Sequence, residues 1–134
     1  PKRPGKILPD SLRWRTGGSR NLQSAKQTGT RLHRLLCYAL HQNGDCSDDF
    51  AKTGDHYNPS GKPHPDHAGD LLPLLGNEGY AWLSFYDKRF STDDIIGRSV
   101  VIHSHADDFT SQPAGNSGTK FGCSKNKKAD YLKV

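Results

Sequence analysis

Residues 55–70 read Asp-His-Tyr-Asn-Pro-Ser-Gly-Lys-Pro-His-Pro-Asp-His-Ala-Gly-Asp, and no long regular element fits there. Proline fixes φ and has no N–H to give a helix or a central strand, and glycine weakens both. Gly61, Pro63, Pro65 and Gly69 therefore dictate a loop. Along it His56, His64, His67 and Asp70 follow at spacings of eight, three and three residues. Imidazole nitrogen and carboxylate oxygen are donors that four-coordinate zinc accepts. A lone histidine is more often a structural hydrogen-bonder. Three on one loop beside a carboxylate point instead to a metal site that organises the loop around itself.

The 134 residues suffice for one domain with a core, although only 32% of them are hydrophobic. Fourteen glycines and eight prolines suggest the many turns of an all-β fold with long loops. No apolar run reaches membrane-spanning length. The amino end lacks the apolar stretch of a secretory leader. Because the chain begins at Pro1, an upstream leader stays open, and so does the compartment, cytoplasmic or extracytoplasmic.

Charge is unevenly spread. Residues 1–34 hold nine Lys/Arg against Asp10, residues 35–119 hold five against twelve acids, and residues 120–134 hold five lysines against Asp130. Basic ends can bind nucleic acid. Solvated tails are the simpler reading, because no aromatic residues interleave there to stack bases.

The three cysteines allow one disulfide and a spare thiol, and no Cys-x-x-Cys pair exists. A bridge between the distant Cys46 and Cys123 would close a long loop, worth about 4–5 kcal/mol by chain entropy. Cys37 reads as an ordinary buried small residue.

Residues 1–34 show no useful periodicity, and residues 32–40 are the first apolar stretch. Residues 44–69 read as loop, followed by a short apolar run at 71–75 and a turn at 76–79. Residues 80–85 alternate like a strand, with Ala81, Leu83 and Phe85 on one face and Tyr80 and Trp82 on the other. Ser99-Val-Val-Ile-His103 is the clearest strand, β-branched after Gly97, and it delivers His103 to its end. A polar loop spans 106–118. His41 and His103 stand outside the ligand loop as further candidates, whereas His33 and His105 read as surface residues.

Six ordered motifs resemble the copper/zinc superoxide dismutases of bacterial type. They are His41-Gln-Asn-Gly-Asp-Cys46, Gly54-Asp-His-Tyr-Asn-Pro59, His67-Ala-Gly-Asp-Leu71, Gly97-Arg-Ser-Val-Val-Ile-His103, Ala106-Asp-Asp108 and Gly115-Asn-Ser-Gly-Thr-Lys-Phe-Gly-Cys123. The resemblance implies a Greek-key β-barrel or sandwich with long metal-binding and electrostatic loops. It implies that His56 bridges copper and zinc, that His64, His67 and Asp70 complete the zinc site, and that His41 and His103 hold copper. Asp107 then resembles the carboxylate that orients ligands of both metals. Cys46 and Cys123 resemble the disulfide of the family, and Lys120 takes the place of the arginine that guides superoxide to copper. Lysine keeps the charge and loses the planar fork. The implied catalytic residues are His56 and Lys120, the implied substrate is superoxide, and the resemblance admits a homodimer.

The family places a His-x-His pair before the Gly-Asp-Cys turn, where this chain has Tyr38-Ala-Leu-His-Gln-Asn-Gly-Asp-Cys46. Without a gap, Ala39 takes the first histidine position and His41 the second. Aligned on the Tyr-Ala-Leu-His run, His41 is the first and two residues are deleted. Either way one copper ligand is missing, which alters geometry and potential. A zinc-binding structural or metal-sequestering protein without turnover is therefore the alternative reading. Residues 1–34 and 124–134 depart from the family pattern, and out-of-frame translation or a degraded gene would explain both ends. The expected organisation is a basic segment at 1–34, a dismutase-like domain at 35–123 and a basic tail at 124–134, with the amino-terminal strands in doubt.

Overall fold

β-Branched side chains crowd the helical turn and suit a pleated surface, and the Val-Val-Ile run at 100–102 forms the centre of the larger sheet in the computed structural model. That model describes residues 34–76 and 81–128. The basic segment at 1–33 with His33, the turn at 77–79, Tyr80 and the tail beyond 128 lie outside the described residues. Five strands appear among those described: β1 (Arg34–Leu36), β2 (Tyr38–His41), β3 (Leu74–Gly76), β4 (Ser99–His103) and β5 (Lys120–Lys125). They form two antiparallel sheets, β1-β3 and β2-β4-β5. One short helix, α1 (Thr92–Ile95), is closed by a Ser91–Asp94 capping box. The described residues thus form an all-β fold, as the sequence suggests.

Along β4 the side chains of Ser99, Val101 and His103 are buried and those between them half-buried, the period-two pattern expected of a sheet with one inward face. The register between β4 and β5 shifts after Ile102, so that His103 pairs with Lys120 and Phe121 has no ladder partner. Irregularities of this kind re-aim side chains. Here it brings a buried imidazole and an ammonium side by side. β5 continues past Cys123, pairing Ser124 with Val100 and Lys125 with Ser99.

The alternation over the described part of this stretch, residues 81–85, is realised without a strand. Residues 81–85 have no ladder partner among the described residues, yet Ala81, Leu83 and Phe85 are half-buried and Trp82 is 72% exposed. A period of two reports a segment with an inward and an outward face. Pairing needs, in addition, a neighbour with free N–H and C=O groups.

The interior is unusually polar. Among the described residues the buried apolar set is Cys37, Ala39, Leu40, Leu71, Leu74 and Val101. The buried polar set is larger: His41, Thr53, His56, His64, His67, Asp70, Ser99, His103, Asp107 and Ser117. Covalent or metal reinforcement suits an interior with this polar cluster. A disulfide between Cys46 and Cys123 supplies the first kind, tying the loop after β2 to β5 across 77 residues of chain.

Candidate metal centre

The ligand loop is laced to β2 by backbone hydrogen bonds. The Leu40 amide donates to the Gly69 carbonyl (2.9 Å), the Tyr57 amide to Leu40 (2.7 Å) and the Gly69 amide to Tyr57 (2.8 Å). A Cβ at position 69 would strike the Leu40 carbonyl oxygen, so this close approach requires glycine. Two clasps hold the loop from outside. Gln112 makes a paired amide contact with the His64 backbone, accepting its N–H at 3.0 Å and donating to its carbonyl at 2.7 Å. Arg89, ion-paired with Asp87, donates to the carbonyls of His67 (3.0 Å) and Asp70 (2.5 Å).

Inside the loop Asp70 is the hub. Its Oδ1 lies 2.6 Å from His56 Nδ1 and 3.2 Å from His67 Nδ1, and its Oδ2 lies 3.1 Å from His64 Nδ1. The same Oδ2 accepts the His67 amide at 3.0 Å. Burial alone would raise the Asp70 carboxyl, but the His56 hydrogen bond and the three surrounding imidazoles outweigh it and hold it below the usual carboxylate value. One donor atom from each of His56, His64, His67 and Asp70 lies within 4.8 Å of the others, and all four residues are buried.

A second group of imidazoles adjoins the first. His41 Nδ1 donates to the Gly54 carbonyl at 2.8 Å, which leaves its Nε2 bare, and that atom lies 3.1 Å from His103 Nε2. His103 Nδ1 faces the Gly118 carbonyl at 3.4 Å and the Ser117 hydroxyl at 3.2 Å. The His56 ring lies between, its centroid 4.9 Å from that of His41 and 5.5 Å from that of His103. Burial, helped by neighbouring His56 and Lys120, pushes His41 down to about 3 and His103 to about 4, despite the carbonyls that favour their protonation. Both rings are thus neutral, with lone pairs to offer. Cys37, 2% exposed, brings its sulfur within 4.8 Å of donor atoms on His56 and His103. Burial and the Asp107 charge push its thiol up to about 12, against a hydrogen bond from Ser117.

The unpartnered atoms test whether a metal fits. His64 Nε2 lies 2.8 Å from Asp107 Oδ1, which places the ring proton there and leaves Nδ1 bare toward Asp70. His64 Nδ1 and His56 Nε2 are buried without any hydrogen-bond partner. Orphaned buried nitrogens are costly unless something fills them. One faces the first donor group, and the other belongs to the ring shared by both. Copper and zinc fit this donor chemistry, imidazole and carboxylate for zinc and a set of imidazoles for copper.

The remaining candidates fall nearby. Lys120 Nζ donates to Thr53 Oγ1 (2.9 Å) and to the Gly54 carbonyl (2.8 Å), the same carbonyl that orients His41. Burial lowers its pKa, partly opposed by Asp55. Asp107 accepts from His64 and from the Phe109 amide (2.7 Å), and toward the second group its influence is that of charge on Cys37 and His103. His105 is exposed and joins neither group. Thr53, Arg89 and Gln112 went unnoticed in the sequence, because they act on backbone carbonyls or through one hydroxyl and leave no spacing pattern.

The metal-free protein should lose stability in acid. An imidazole whose folded pKa lies below its unfolded value of 6.5 binds more protons unfolded, so its contribution is present above 6.5. That contribution drains away as pH falls toward about 4 for His103 and about 3 for His41. Asp70, also depressed, acts in the same direction. Urea midpoints measured in chelator should fall steadily below pH 6.5; a flat profile would contradict the neutral, buried state of these rings.

Comparison with known proteins agrees with this architecture. The family model for copper/zinc superoxide dismutase (SODC) matches residues 19–125. Extracellular superoxide dismutase [Cu-Zn] of Rattus norvegicus is 34% identical over 93 residues, 63% of this chain and 38% of that protein. Superoxide dismutase [Cu-Zn] of Paramecium bursaria Chlorella virus 1 is 34% identical over 112 residues, 72% of this chain and 60% of that protein. The chain thus spans less than two thirds of the length of either relative. Among solved structures, the clock protein EA4 superposes with a TM-score of 0.63 at 32% identity, covering 69% of each chain. A SOD-like protein from Bacillus subtilis superposes at 0.55 with 30% identity, covering 71% of this chain and 74% of that one. A matched span of this length, carrying two adjoining donor groups with a shared histidine, shows that the chain belongs to the copper/zinc superoxide dismutase family.

Proposed function

We propose that the protein disproportionates superoxide at a copper/zinc centre, with His56, His64, His67 and Asp70 holding zinc and His41, His56 and His103 holding copper. The observation that carries this reading is the double membership of His56. Its Nδ1 faces Asp70 at 2.6 Å, and its Nε2 is buried and bare. Copper, when bound, supplies one-electron redox chemistry that zinc cannot. Two superoxide ions and two protons become one oxygen and one hydrogen peroxide. His56 Nε2 is the atom that can hold a proton and pass it to the departing peroxide. Asp107 fixes the His64 tautomer, and the Gly54 carbonyl fixes that of His41. Lys120, held by Thr53 and Gly54, presents a cation to an anionic substrate beside an acidic body. All the donors come from one chain between residues 35 and 123, which supports that span as the metal-binding domain and means that a homodimer adds no ligand. No helix among the described residues is long and apolar enough to cross a membrane.

A second reading, zinc binding without turnover, is favoured by one observation: Ala39 stands where the family's first histidine falls in the gap-free alignment. Metal analysis with a superoxide-decay assay separates the two. Zinc with copper and decay faster than free copper supports the enzyme. Zinc alone, with no excess activity, would leave the binding protein. In the active protein Lys120→Glu should slow decay by roughly tenfold or more at low ionic strength and flatten its salt dependence. An unchanged rate and salt profile would remove Lys120 from the steering role.

A further inference from the structure

We propose that Cys37 supplies the fourth donor on the copper side, its sulfur standing in for the imidazole that the chain lacks at Ala39. This rests on the two-metal reading above and goes beyond it, because that reading leaves copper three imidazoles. Successive side chains of an extended segment alternate in direction, so Cys37, Ala39 and His41 share one face. Cys37 continues the ladder, its carbonyl accepting the His103 amide at 3.0 Å and its amide donating to the His105 carbonyl at 2.8 Å. All three residues are at most 2% exposed. Position 39 carries only a methyl group where the gap-free alignment puts an imidazole, and Cys37 lies two residues before it on that face.

Two independent observations turn this juxtaposition into a site. The sulfur and donor atoms of His56 and His103 lie mutually within 4.8 Å. His56, 4% exposed, has a buried Nε2 without a partner. The thiol is free of the disulfide, since Cys46 and Cys123 are bonded to each other and Cys37 is the remaining cysteine, and it hydrogen-bonds Ser117. On coordination the S–H bond breaks, an S–Cu bond forms and one proton leaves to solvent, with no electron transferred. A soft thiolate ligand favours Cu(I) over a site of imidazoles alone. This chain should therefore hold copper in a more reduced state than relatives with a full histidine set.

The test uses the full chain, loaded with zinc and then with one equivalent of copper under anaerobic conditions. X-ray absorption at the copper edge should show a sulfur scatterer beside nitrogen, and the Cu(II) form should show a sulfur-to-copper charge-transfer band in the visible region. Cys37→Ser should abolish both signals and weaken copper binding by roughly tenfold or more, with zinc stoichiometry unchanged. If that variant fails to fold, the wild-type absorption spectrum decides alone. Ala39→His, which restores an imidazole, should diminish the sulfur signal. Copper bound with nitrogen and oxygen neighbours only would overturn the Cys37 assignment and leave the two-metal reading standing. Failure to take up copper at all would overturn both.

Discussion

Asp70→Ala should reduce zinc affinity by more than roughly a hundredfold, because even positioning partners outside the ligand set typically contribute 10–100-fold. The carboxylate is the common neighbour of three imidazoles, within 2.6 to 3.2 Å of each, and it accepts the His67 amide as well. Its removal takes away the negative charge that would balance a dication and strands buried ring nitrogens. Zinc should raise the melting temperature of the parent protein by binding the folded state alone, and should no longer do so in this variant. Asp66→Ala, an exposed acid on the same loop, should change neither quantity. Isothermal titration with zinc, paired with melting curves with and without chelator, checks both variants. An Asp70→Ala affinity within tenfold of the parent would remove Asp70 from the ligand set.

The second large effect belongs to the disulfide. Cys46→Ser should destabilise the protein by about 4–5 kcal/mol, the chain-entropy value for a closed loop of 77 residues. Domain stabilities are only about 5–15 kcal/mol, so this is a large fraction of the whole. Cys123→Ser should cost the same, and the double variant should cost no more than either single one. Urea unfolding under oxidising and reducing conditions provides the measurement. A loss below about 1 kcal/mol would show that the unfolded chain is already restrained by other means.

The ligand loop was legible in the sequence because its chemistry is local. Gly61, Pro63, Pro65 and Gly69 rule out regular structure, and His56, His64, His67 and Asp70 are close in the chain as well as in space. The strand ending at His103 was legible for a related reason, since β-branched residues carry their own preference. Cys37 reads in the sequence as a buried small residue, and buried it is; the copper-side role proposed for it had no sequence signal. Its significance lies in a neighbour 66 positions later, His103, and in the small side chain at Ala39, and neither relation has a period. Residues 81–85 show the faces of a strand without a ladder partner among the described residues, since hydropathy records burial and is silent about backbone pairing. Arg89 and Gln112 were invisible because their partners are main-chain carbonyls and amides, which every residue possesses.

Gln112 has a wider consequence. It belongs to the loop at 106–118, which also carries Asp107, yet its paired amide contact and the Asp107 carboxylate both end on His64. The loop at 55–70 and the loop at 106–118 therefore share one buried residue, His64, as a common joint. A metal ion that fixed His64 would also quiet the loop at 106–118. By reciprocity, whatever orders that loop must tighten the hold on zinc by the same factor. The loop at 106–118 is in this sense a remote reporter of metal occupancy, one that hydrogen exchange at its amides could read without observing the metal itself.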